Sequence, residues 1–253
     1  MIPPIDKCLK QKQQHINDFV RRANAILPLD NPLYFDGHFI SGQTYRPDVL
    51  FIGINPGHRD WDNIEGRRAG IKLIDYHSTP CKYIAEAEAG NRFAKRIINV
   101  VCDNEVSRLK HCAETSLLSY FASPREHVVQ KQIKALPKAM QREHKQLTEL
   151  PLEQLRPRHI VCIGWRTFDE FMNRYAQHAD TSISRASTKK LPIQMKGVEK
   201  MMDYYSRVEL EGISVHGVRH FSTPLSHAML DDLKTIFKSV WEDIEKSKEK
   251  GSA

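Results

Sequence analysis

Apolar residues recur at helical spacing from His15 to Leu27, where Ile16, Phe19, Val20, Ala23, Ile26 and Leu27 share a face, and Pro28 ends the run. A turn-rich loop follows from Asp30 to Pro47. The stretch DVLFIGINPG is of another kind: a short continuous apolar run, Val49 to Ile54, closing on glycine and proline, as in a buried parallel strand that ends in a loop. Helical period returns from Tyr83 to Val101, with Phe93, Ile97, Ile98 and Val101 on one face, Arg92, Lys95 and Arg96 on another, and Gly90 and Asn91 placed to break it in two. TSLLSYFASP predicts a second strand running into a loop that ends at Pro124. RHIVCIG predicts a third, with the helix of FDEFMNRYA directly after it. RVELEGISVHGVRHF predicts two strands around a Glu211–Gly212 turn. A long amphipathic helix from Thr223 to Lys248 carries Leu230, Leu233, Ile236, Phe237, Val240, Trp241 and Ile244 on one stripe, with Ser222 or Thr223 before Pro224 as its cap.

Strands alternating with helices define an α/β chain with a parallel sheet. At 253 residues and 40% hydrophobic content, one such domain is expected. We place it at 1–248, with an N-terminal helix, inserted segments near 58–82 and 181–207, and a disordered tail at 249–253. The basic segment Thr181 to Arg207, with Lys189 and Lys190 among its cations, is expected as a solvated surface loop.

Charge changes the picture only partly. The net charge of +7 favours a polyanionic partner through long-range attraction, yet many basic proteins bind no nucleic acid. Five cysteines at irregular spacing without a CxxC pair argue for reduced thiols and against a metal or iron–sulfur centre, so no metal and no cofactor are expected. With no long apolar run, the expectation is a soluble cytoplasmic protein, nuclear if eukaryotic, with no membrane association and a monomeric state.

The candidate chemistry begins at Gly53, Ile54, Asn55, Pro56 and Gly57. They follow a strand directly, where open parallel sheets place their ligands. A phosphate-gripping loop would carry more glycines and a lysine, which this one lacks.

VLFIGINPG is similar to the first motif of the uracil-DNA glycosylase superfamily, and most closely resembles the mismatch-directed uracil and thymine glycosylases, which carry the same GINPG string. HFSTPLS, His220 to Ser226, resembles the superfamily's HPSPLS motif, and LEQLRPRHIVCIGWRTFDEF looks like its third strand and following helix. The resemblance covers roughly residues 45–243. It implies a three-layer α/β/α sandwich around a central, mainly parallel four-stranded sheet, and an enzyme that flips a base out of double-stranded or single-stranded DNA and hydrolyses its N-glycosidic bond.

Carried over residue by residue, the resemblance makes Asn55 the group that positions the attacking water near a sugar on which positive charge develops. It makes His220 the histidine that stabilises the departing base, with His216 and His227 as alternatives, because HFSTPLS is one residue longer than HPSPLS and strict alignment on Pro224 puts Phe221 there. Leu225 matches the residue that fills the gap left by the flipped nucleotide. Arg219, Ser222, Thr223 and Ser226 flank it as DNA contacts, with Lys189 and Lys190 of the basic segment. Gly57 stands where the strict uracil enzymes carry a tyrosine that blocks C5, and Ser116 where they carry an asparagine that reads the uracil edge. A C5-substituted pyrimidine therefore joins uracil and mismatched thymine as an expected substrate. Trp61 or Tyr76 is the expected stacking partner of the base, and Arg67, Arg68 and Lys72 are expected on phosphates or an unusual base. Repair of DNA and defence against modified foreign DNA both fit. Two other classes remain: a module of the same fold that binds DNA without cutting it, and an unrelated α/β enzyme acting on free nucleotides.

Overall fold

The computed structural model describes residues 4–28, 33, 40–54, 80–117, 126–176, 188–195 and 198–251. Its strands are β1 (Ile40–Gly42), β2 (Val49–Gly53), β3 (Cys112–Ser116), β4 (His159–Ile163), β5 (Lys189–Met195), β6 (Val198–Leu210) and β7 (Ile213–Val218). Its helices are α1 (Pro4–Asn24), α2 (Lys82–Glu88), α3 (Arg92–Val100), α4 (Glu126–Ala135), α5 (Lys138–Leu147), α6 (Leu152–Leu155), α7 (Trp165–Tyr175) and α8 (His227–Gly251), with a 3₁₀ turn at Val106–His111 before β3.

The strands form one mixed seven-stranded sheet in the order β1-β3-β2-β4-β7-β6-β5, wider than the four strands expected. The four in the middle, β3, β2, β4 and β7, run parallel. β1 on one edge and the β6–β5 pair on the other run antiparallel to their neighbours.

Alternation along each strand feeds two apolar cores on opposite faces. Leu50, Ile52, Ala113, Ile160, Cys162 and Val215 join a cluster with Ile16 and Phe19 of α1, Val129 of α4, Met140 of α5 and Phe168 and Phe171 of α7. Val49, Phe51, Cys112, Val161, Ile163 and Val218 join a second cluster with Tyr83 of α2, Ile97 of α3 and Met229, Leu233, Phe237 and Trp241 of α8. Helices thus cover both faces of the sheet, and each fully buried Leu, Ile or Phe contributes roughly 1.5–3 kcal/mol.

One close approach fixes the α7 layer. A Cβ on Gly217 of β7 would lie 2.7 Å from Cγ and Cδ2 of the Phe168 ring. Phe168 is itself buried, so the ring has little room to retreat. Gly217→Ala is expected to destabilise the protein by about 1–3 kcal/mol through overpacking. A chemical denaturation midpoint equal to the parent's would show that α7 can shift without cost.

Several sequence expectations need correction. α1 starts at Pro4, well before His15. β3 is Cys112–Ser116, N-terminal to most of TSLLSYFASP; residues 118–125 lie outside the described set. The segment expected as a basic surface loop contains β5 and most of β6, an antiparallel ribbon in register from Lys190↔Asp203 to Met195↔Val198. The last helix starts at His227, not Thr223, and Ser226 caps it: its Oγ accepts the Met229 backbone N–H at 3.2 Å. That helix also runs on to Gly251, into the residues expected to be disordered.

Candidate functional site

The parallel strands end together on one edge of the sheet, and the residues just beyond them form the candidate site. Gly53 and Ser116 are register partners at the ends of β2 and β3, and the Leu117 backbone N–H donates to the Gly53 carbonyl at 2.9 Å. Arg174 of α7 ties down the same corner, donating from Nη1 to the Leu117 carbonyl at 3.2 Å. Ile54 is partly buried beyond Gly53, and a Cβ added to Gly53 would find only the Thr115 carbonyl oxygen, at 3.9 Å. Of the pocket residues named from the sequence, Gly53, Ile54 and Ser116 therefore gather at one corner. Asn55, Pro56, Gly57, Trp61, Arg67, Arg68, Lys72 and Tyr76 lie outside the described residues.

Two strands away, β7 runs through Val218 into Arg219 and His220. Gly164, at the end of β4, stands between the two groups and is held by its N–H on the Val218 carbonyl at 2.8 Å. Gly164 has φ +101, a conformation that L side chains avoid. A Cβ there would sit 3.7 Å from Cβ and Cδ2 of His220, so a side chain larger than methyl would crowd the imidazole.

His220 is fixed in both orientation and proton state. Its ring stacks on Phe93, with centroids 5.0 Å apart and planes 23° from parallel. The backbone N–H of Ser222 donates to Nδ1 at 3.2 Å, and the Ser222 Oγ lies 2.6 Å from the same nitrogen. A backbone N–H can only donate, so Nδ1 accepts and the neutral ring carries its proton on Nε2. Burial holds the imidazole below its usual pKa and so favours this neutral form at pH 7. The loop is closed from below: the Thr223 N–H and hydroxyl both donate to the His220 carbonyl, at 2.9 and 2.6 Å, and Arg96 of α3 donates to the Phe221 carbonyl at 2.5 Å.

This geometry separates the competing histidines. Phe221, which strict alignment favoured, is buried in the α8-side core. His216 is fully buried in β7, with Tyr205 Oη 2.9 Å from Nδ1 and His159 Nδ1 3.2 Å from Nε2, away from the strand ends. His227 is exposed at the start of α8. His220 is the one the strand ends present.

The residues named as DNA contacts are spread more widely. Ser222 and Thr223 serve the His220 loop, and Ser226 caps α8. Leu225 is partly buried against the α8-side core. Arg219 is partly buried, its backbone N–H on the Tyr204 carbonyl at 3.0 Å. Lys189 pairs with Asp232 at 2.9 Å and Lys190 with Asp203 at 3.4 Å.

Phe93 was read from the sequence only as part of an apolar helix face. Its signal was local: Asn91 caps α3 by accepting the Phe93 and Ala94 N–H groups at 2.9 and 3.3 Å, which sets Phe93 on the first turn at the strand-end side. Among the described residues no three His, Cys, Asp or Glu side chains are grouped to hold a metal ion, and no helix is long and apolar enough to cross a membrane. The chain matches no protein-family model and no curated protein.

Proposed function

We propose that the protein is a monofunctional DNA glycosylase that flips a pyrimidine out of DNA and hydrolyses its N-glycosidic bond, leaving an abasic site. The observation that carries this reading is His220: its Nδ1 accepts the Ser222 N–H, which leaves Nε2 to carry the proton of a ring whose burial favours the neutral form, at the end of β7 on the side of the sheet where β2 ends at Gly53. We read the four parallel strands as the glycosylase-like sheet, with β1 and the β5–β6 ribbon as additions. In the reaction the C1′–N bond breaks and its electron pair passes to the base. The His220 Nε2–H donates to the base oxygen on which that charge collects. Asn55 orients a water whose oxygen bonds to C1′, and the water's proton leaves to solvent or to the departing base. An amide cannot accept that proton, so most of the rate enhancement falls to leaving-group stabilisation. With glycine at position 57 and serine at 116, the reading extends to pyrimidines substituted at C5.

The test is to incubate the protein with duplex and single-stranded DNAs carrying uracil, mismatched thymine, or hydroxymethyl and larger C5 groups, with EDTA present. Released base is identified by mass spectrometry and abasic sites by alkaline cleavage. Release of at least one free base is expected. Tight binding with no release would leave a binding module, and turnover of free nucleotides without DNA would replace this reading with another enzyme class.

A further inference from the structure

We propose that Phe93 of α3 is a positioning residue for the reaction: its ring face holds the plane of the His220 imidazole, so that the edge carrying Nε2 is presented to the strand-end site. This rests on the glycosylase reading. His220 lies beyond Val218↔Tyr205, the last pair of β7 with β6, and the ladder gives its ring no hold. Ser222 bonds Nδ1 from only two residues further along the same turn. That contact sets the tautomer, but turn and ring can tilt together. A surface outside the turn is needed to fix the ring against the rest of the protein, and Phe93 supplies one, with centroids 5.0 Å apart and planes 23° from parallel. The far edge of the imidazole, at Cδ2, faces Gly164 at the end of β4, where an added Cβ would lie 3.7 Å from it. Nε2 is bonded to Cδ2, so the donor edge lies on that side.

Phe93 is itself braced from behind. Tyr83 of α2 meets it edge to face at 6.0 Å and 65°, and Tyr83 meets Phe51 of β2 in the same way at 5.5 Å and 80°. Tyr83 and Phe51 are buried, and the Phe221 ring lies 6.4 Å from Phe93 on another side. The series Phe51, Tyr83, Phe93, His220 therefore starts on β2 two residues before Gly53 and ends at the imidazole. It sets the histidine relative to the strand that leads to Asn55. One turn along α3 from Phe93, Arg96 donates to the Phe221 carbonyl, so one helix holds both the ring and its loop. Arg219 precedes His220 in the chain, and among the described residues no carboxylate pairs with its ring. A phenyl face attracts a cation and by itself would favour the imidazolium. The His220 pKa nevertheless lies below its ordinary value through burial, so exclusion of water outweighs that attraction.

The experiment compares wild type with Phe93→Ala, Phe93→Leu and Phe93→Tyr. It follows the His220 ring by ¹⁵N NMR titration without DNA, then measures single-turnover base release and duplex affinity. Phe93→Ala opens one face of the imidazole to water, so its titration should move up toward the ordinary histidine range, and the acid limb of the pH–rate profile should move with it. Release should slow about tenfold with duplex affinity unchanged, since an aromatic pair accounts for roughly two- to tenfold. Phe93→Leu keeps apolar bulk against Tyr83 and Phe221 and serves even where the alanine variant fails to fold. With no flat face its ring should tilt off the Ser222 N–H, draw the two ¹⁵N resonances together and slow release. Phe93→Tyr restores the flat face and should recover most of the loss. Alanine or leucine variants with wild-type titration, resonances and rate overturn the role of Phe93 and leave it as packing. A wild type that releases no base from any DNA overturns the glycosylase reading, while the titration still decides separately whether Phe93 holds the ring.

Discussion

His220→Ala is expected to lower the single-turnover rate of base release by a hundredfold or more, about 2.7 kcal/mol or more of transition-state stabilisation, with DNA affinity and melting temperature close to wild type. The geometry predicts graded effects around it. His220→Gln keeps an N–H donor on a shorter side chain and should retain more activity than the alanine variant. Ser222→Ala removes the hydroxyl 2.6 Å from Nδ1 but leaves the backbone N–H that defines the tautomer, so its loss should be about tenfold or less. Acid should act through the same atom. The His220 pKa is depressed by burial, so the neutral ring persists below the usual histidine range, and activity should fall only as pH drops through that lowered value. A His220→Ala enzyme at wild-type rate would remove His220 from the chemistry and leave its stack on Phe93 as packing.

What the sequence revealed, and what it did not, follows from how local each determinant is. β2 and β4 were legible because both faces of a central parallel strand are buried, which writes an unbroken apolar run closed by glycine. The break between α2 and α3 was legible in Gly90 and Asn91, and the β6–β7 turn in Glu211 and Gly212, both of which take positive φ. β3 was misplaced because CAETS carries a glutamate that no local pattern places inside. Glu114 is tolerated there because Lys82, just before Tyr83, reaches it at 2.6 Å and Ser41 of β1 donates to it at 3.3 Å. The ribbon was hidden in the same way, since its lysines find carboxylates on β6 and α8 that are remote in sequence. At the site, motif resemblance pointed to His220 but one extra residue left Phe221 in competition. The ambiguity disappears once Phe221 is seen to enter the core and Ser222 to fold back onto Nδ1. The stack of Phe93 on His220 joins residues 127 positions apart and had no local signature beyond the Asn91 cap.

Folding stability is expected to collapse on mild acidification, beginning near pH 6.5, because histidines are enclosed in the native protein. His216 is fully buried, and burial, with His159 and Arg207 nearby, pushes its pKa down to about 3. Partly buried His144 is pushed down to about 4 by burial and by Arg174. The unfolded chain has both near 6.5. Above that value both states are neutral and neither group affects stability. Below it the unfolded chain takes up protons that the native protein refuses, so stability falls by about 1.4 kcal/mol per pH unit for each group, until the native value is reached. Two such groups remove roughly 5 kcal/mol between pH 6.5 and 4.5, as much as the whole stability of many domains. Urea denaturation at half-unit pH steps measures this slope. His216→Gln separates its cause: the amide can still bond Tyr205 and His159 but does not titrate, so the variant should start less stable at pH 7 and lose stability about half as steeply. An unchanged slope in His216→Gln would mean that another group takes up the proton on unfolding, and that His216 is protonated in the native core without penalty.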